Sequence, residues 1–137
     1  NAWAYHGLAC LYLKSDPEKA KQFIMEGMAL QRERLSYQKE GFKILEKCGA
    51  YKEIDEEYKK QTAENQKNGR IQYYYVAALE KLERNEEAYH LLNDGDGIDV
   101  SDIREGDSDI QSIWESLHEK VYGEKGHLPH YYNFKVN

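Results

Sequence analysis

Only two cysteines and two prolines occur among the 137 residues, and no stretch reaches the roughly 18 consecutive apolar residues that a membrane-spanning helix needs. Cys10 and Cys48 belong to no CxxC pair and to no Cys/His cluster of zinc spacing, so neither a disulfide framework nor a zinc site is indicated, and two buried thiols are expected. The shortage of proline argues against a turn-rich β-sandwich. A basic excess is also missing. Nineteen Lys and Arg stand against 25 Asp and Glu, a formal charge of -6, and a surface of that sign repels nucleic acid and anionic membranes alike. No signal peptide opens the chain. The first residue is Asn rather than Met, so a piece of a longer protein is expected, with the cytoplasm as its compartment.

What is present is a helical composition: 40% hydrophobic and 32% charged residues. The charges are interleaved at helical neighbour spacing, as in "EKLERNEEA". A chain of this length can bury a core in one domain without staples.

Sliding the sequence against itself by 34 residues aligns five apolar columns in three copies. Trp3 meets Tyr37 and Ile71; Leu8 meets Phe42 and Val76; Leu11 meets Leu45 and Leu79; Ala20 meets Ile54 and Ala88; Ile24 meets Tyr58 and Leu92. Each copy divides into two stretches of roughly 3.6-residue period, separated by turn signals. "KSDPEKA" offers Ser15 or Asp16 as N-cap, Pro17 in the first turn, and Glu18 at capping-box spacing from Ser15. Gly49 is expected to end a helix after Cys48, and Asn85 to cap the next one ahead of two acids.

These units resemble the tetratricopeptide repeat family, a 34-residue helix-turn-helix with the pattern W-x2-L-G-x2-Y and then A-x3-F. The matching residues are Tyr5, Leu8, Ala9 and Tyr12, then Tyr73, Val76 and Ala77, and in the second helices Ala20 with Ile24, Ile54 with Tyr58, and Ala88 with Leu92. The match spans residues 2–93, with repeats at about 2–33, 34–67 and 68–93. Lys43 and Ile54 stand where the family places small residues, and the turns of the first and third units are one residue short. The implied fold is all-α: about three such hairpins, a capping helix at 109–122 completing a domain over residues 1–122, and an extended aromatic tail at 123–137. The cap rests on its own pattern, since Ser108 and Gln111 have capping-box spacing and Ile110, Ile113, Trp114, Leu117 and Val121 share one helical face. The tail is expected to pack on the array or on another domain.

The acidic stretch "LLNDGDGIDVSDIREGD" invites comparison with a calcium loop. With Gly97 at position 6, however, position 1 is Leu92 and position 12 is Ile103, so two required oxygen ligands are hydrocarbon. A turn is the expectation, with Gly95 and Gly97 ending the last repeat helix and the acids keeping the loop in water. No metal and no cofactor is indicated. The five histidines lack partners at metal spacing, and no nucleophile elbow, P-loop or dinucleotide fingerprint occurs. The chain therefore reads as a non-enzyme.

In the family, the first helix of each repeat lines a concave surface that holds a peptide. Carried onto this chain, the resemblance implies a groove of Trp3 and His6, Tyr37 and Glu40, Ile71 and Tyr74, with Lys14, Lys47 and Lys81 further along the same helices. Plain packing would account for the same aromatics. The leading expectation is an interaction module for a peptide segment or for another domain of the parent protein, and a short open-ended array also admits a homodimer. A second resemblance gives the alternative. "IREGDSDIQSIWESLHEK" with "LPHYYNFKVN" is similar to the end of bacterial proteins in which such repeats follow a mutarotase-like β-sandwich, which implies a helical companion to a sugar-binding cleft.

Overall fold

The computed structural model describes residues 1–101, 103 and 110–129. Among them the protein is all-α, with eight helices and no strand. The chain forms two compact units, Asn1–Gln66 and Lys67–Asn137.

The first unit contains α1 (Ala2–Tyr12), α2 (Pro17–Leu30), α3 (Leu35–Lys47), α4 (Tyr51–Lys59) and the short α5 (Ala63–Gln66). Local chemistry sets their ends. Asn1 Oδ1 accepts from the Trp3 amide at 2.9 Å and starts α1, while Asp16 Oδ1 accepts from the Lys19 amide at 3.2 Å and starts α2, with Pro17 as first residue. Gly49 ends α3 in the left-handed conformation (φ 68°), and the Ala50 amide reaches back to the Leu45 carbonyl at 2.9 Å, closing a Schellman turn.

α1 and α2 pair as a hairpin in which Ala9 and Ala20 are fully buried and allow close approach. The Phe23 ring of α2 stacks on Tyr12 at 5.8 Å between centroids. α2 then packs on α3, where Met28 lies against Gly41 so closely that a Cβ at that glycine would overlap the thioether. Phe42, Leu45 and Ile54 complete the core of the unit.

Polar groups are buried with them. Glu57 is 1% exposed and takes both nitrogens of the Arg32 guanidinium, at 2.8 and 3.3 Å. Gln38 Nε2 donates to the carbonyls of Met28 and Gln31, Gln61 Nε2 donates to Gln38 Oε1, and Asn65 Nδ2 donates to Gln61 Oε1 and to the Arg32 carbonyl. This chain of amides satisfies backbone groups at the α2 to α3 turn that burial would otherwise leave unpaired.

The second unit holds α6 (Gly69–Lys81), α7 (Asn85–Asn93) and α8 (Ile110–Tyr122). Asn68 caps α6, its Oδ1 accepting from the amides of Arg70 and Ile71 at 3.1 Å. α7 begins at Asn85, whereas the sequence suggested Asn85 as the cap; Arg84 takes that place without a side-chain bond, its guanidinium being paired with Glu87 instead. α8 packs on α7 and α6 through Ile110, Ile113, Trp114 and Leu117, with Val121 half-buried at the edge. Trp114 Nε1 donates to Asn93 Oδ1 at 2.9 Å. Leu92 and Ile103, the hydrocarbon residues of the acidic loop, are both buried. Ser108 and the tail from residue 130 onward lie outside the described residues, and with them the expected capping box and tail packing.

The repeat leaves a trace in the turns. Glu83 stands 34 residues after Gly49 and adopts the same left-handed conformation (φ 62°), with the Arg84 amide bonding the Leu79 carbonyl at 2.9 Å. A side chain there is strained where glycine is not. Glu83→Gly is therefore expected to stabilise the chain by about 0.5–1 kcal/mol, read as a raised urea midpoint with unchanged slope.

Candidate functional site

Four of the sequence-predicted residues meet in the first unit. Trp3 and His6 lie one turn apart on α1, and Tyr37 and Glu40 hold the corresponding places on α3. The Trp3 and Tyr37 rings meet edge to face at 4.8 Å, Trp3 and His6 at 5.3 Å, and His6 Nε2 lies 3.5 Å from Glu40 Oε2. The 34-residue register explains the convergence, since equal offsets on two neighbouring helices place like positions side by side.

Their exposures divide the roles. Trp3 is 43% exposed, and His6 and Glu40 are half-buried, so these three present surface. Tyr37 is fully buried, and its hydroxyl donates to the Ala2 carbonyl at 2.6 Å. It supports the Trp3 ring from below rather than facing a ligand. Burial, aided by the nearby Cys10, pushes the Tyr37 phenol up to about 12.

Lys47 is exposed at the end of α3, and Lys14, expected on the same helix as Trp3, is exposed in the turn after α1. Tyr74 and Lys81 belong to the second unit. Tyr74 is 7% exposed with its ring 6.0 Å from Tyr73, so it offers little surface, whereas Lys81 is exposed. Ile71 is fully buried. The second unit also has an open hollow lined by residues that include Gln72, Tyr75, Leu79, His90 and Leu91, none of them a predicted site residue.

One neighbour of the cluster escaped sequence reasoning. Cys10 was expected inside, yet it is exposed, with Sγ 3.9 Å from His6 Nε2. The i, i+4 spacing of His6 and Cys10 was the available signal. Cys48, the other thiol, is half-buried, and burial pushes its pKa up. Among the described residues no group of three or more His, Cys, Asp or Glu side chains is arranged to hold a metal ion, and no helix is long and apolar enough to cross a membrane.

These features define an all-α chain of helical hairpins with an aromatic patch on its first unit. No family model, curated protein or solved structure matches the chain.

Proposed function

We propose that the chain is a non-catalytic interaction module of tetratricopeptide-like hairpins, in which the first unit offers Trp3, His6 and Glu40 to a peptide segment or to another domain. The observation that carries this reading is the Trp3 indole, large and nearly half exposed, held in place by the buried Tyr37 ring. A supported indole supplies contact area with little rotamer freedom left to lose on binding. The His6 ring and the Glu40 carboxylate beside it supply a donor and an acceptor.

The geometry of Cys10, His6 and Glu40 supports the same reading against hydrolysis. Cys10 sits within α1, where backbone amides are spent on carbonyls four residues back. The α1 amides around its sulfur are therefore not free to hold an oxyanion. The sugar-cleft alternative leans on residues 103–120 and 128–137, of which 104–109 and 130–137 lie outside the described residues.

Peptides selected from a random library on the full chain test the proposal. Trp3→Ala is expected to weaken the selected peptides at least tenfold, as removal of a central aromatic contact does at interfaces, while the helical circular dichroism stays unchanged. Selection of no peptide, or equal binding by the variant, contradicts it.

A further inference from the structure

α1 carries no Asp, Glu, Lys or Arg along Ala2–Tyr12, and apolar side chains occupy it nearly all round. A helix of that pattern is built to be covered on more than one side. One side is covered: Ala2 and Ala9 are buried, and Tyr5 and Tyr12 lie beside the Phe23 ring of α2. The opposite side is open. Ala4, Gly7, Leu8, Cys10 and Leu11 are all exposed, Leu8 to 37% and Leu11 to 71%.

The 34-residue repeat says what such a side is for. The α3 counterparts of these five residues are Gln38, Gly41, Phe42, Ile44 and Leu45, and every one of them is buried. At the centre of that α3 stripe the covering element is α2. Met28 occupies the space where a Gly41 side chain would stand, and Gln38 Nε2 donates to the Met28 carbonyl at 3.0 Å. The neighbouring Gly27 makes room for the Tyr37 hydroxyl in the same way. At Gly7, the counterpart of Gly41, an added Cβ would meet nothing within 4 Å. The same small-residue notch is present and unfilled.

We infer that the outer side of α1 is a docking face for an amphipathic helix with the pattern of α2, one that brings a small residue followed by methionine, or a side chain of like size and flexibility, onto Gly7 between Leu8 and Leu11. The occupant is the second helix of a further hairpin supplied by the partner. It continues the interface that α2 makes with α3, and the face adjoins the Trp3, His6 and Glu40 surface at Cys10, whose Sγ lies 3.9 Å from His6 Nε2. The absence of charge on the stripe disfavours a polar or strongly charged partner segment. A tethered occupant gains from high effective concentration, which makes a covalent test the sensitive one.

A copy of residues 1–34, with its own cysteine replaced by Cys10→Ser, is joined ahead of Asn1 of the full chain, so that its second helix stands to native α1 as α2 stands to α3. Alkylation of native Cys10 by iodoacetamide is expected to slow at least tenfold relative to the unextended chain, with Cys48 as the internal reference, and the thermal midpoint to rise. Leu11→Lys in native α1 of the extended chain should restore the original rate without loss of helix content. An unchanged Cys10 rate in an extended chain whose circular dichroism shows the added helices overturns the inference. So does a concentration-dependent dimer of the unextended chain that Leu11→Lys abolishes, because that result gives the face to a second copy.

Discussion

Tyr37→Ala is expected to cost about 3–5 kcal/mol of stability, the range for truncating a large buried aromatic, and to free the Trp3 indole. Tyr37 is fully buried at the junction of three helices. Its ring supports Trp3 on α1, its hydroxyl bonds the Ala2 carbonyl, and it fills the space left by Gly27 on α2. Truncation removes all three contacts at once and leaves a cavity that α1 and α2 cannot both close. Tyr37→Phe keeps the ring and loses one hydrogen bond, so about 1 kcal/mol is expected. Urea unfolding gives both figures, and the Trp3 emission should shift to the red in the alanine variant alone. The phenol adds a pH signature. Its folded pKa, pushed up to about 12, lies above the ordinary tyrosine value of 10.0, so the folded state favours the neutral hydroxyl. That contribution is complete below about pH 10 and is lost as the pH rises toward 12. Tyr37→Phe should remove this alkaline loss while leaving the neutral-pH unfolding transition cooperative.

Arg32→Ala is expected to cost about 3 kcal/mol, because it strands a buried carboxylate. Glu57 is 1% exposed, and after loss of the guanidinium the Lys60 Nζ, on a largely exposed side chain, lies 3.3 Å away. The Asn65 bond to the Arg32 carbonyl is to the main chain and stays available after the change, as does the amide chain through Gln61 and Gln38. Replacing both partners, as Arg32→Met with Glu57→Leu, should cost far less than the single change, since no charge is then buried. Amide hydrogen exchange across α3 and α4 distinguishes the two variants. A double variant as damaged as the single one would show that the hydrogen bonds, rather than the stranded charge, set the cost.

Much of this arrangement was legible in the sequence where side-chain periodicity and local chemistry act alone. The α8 face of Ile110, Ile113, Trp114 and Leu117 followed from a 3.6-residue period, and Pro17 after Ser15 or Asp16 marked the start of α2, where Asp16 is the cap. Trp3, His6, Tyr37 and Glu40 were named through the resemblance to the repeat family, and their equal spacing on α1 and α3 brings these four together, whereas Tyr74 and Lys81, named with them, belong to the second unit. The buried Glu57, Gln38, Gln61 and Asn65 were not foreseen. Pattern reading sends polar residues to water, and only the α2 to α3 turn reveals backbone carbonyls in need of donors. Leu8, Leu11 and Cys10 went the other way, since periodicity shows that a face is apolar without showing whether anything covers it. Tyr37 and Trp3 share a column, yet one is fully buried and the other is 43% exposed. The difference lies in the elements packed around each residue, which a single-sequence pattern does not contain.

The central claim is that the Trp3, His6 and Glu40 surface of the first unit receives a partner segment. The most direct measurement is a nuclear magnetic resonance titration of the full chain with a library-selected peptide. The account predicts that the Trp3 indole NH, the His6 ring and the α3 amides around Glu40 shift first and saturably. Shifts confined to α6, α7 and α8, with Trp3 and His6 unmoved at saturation, would contradict it.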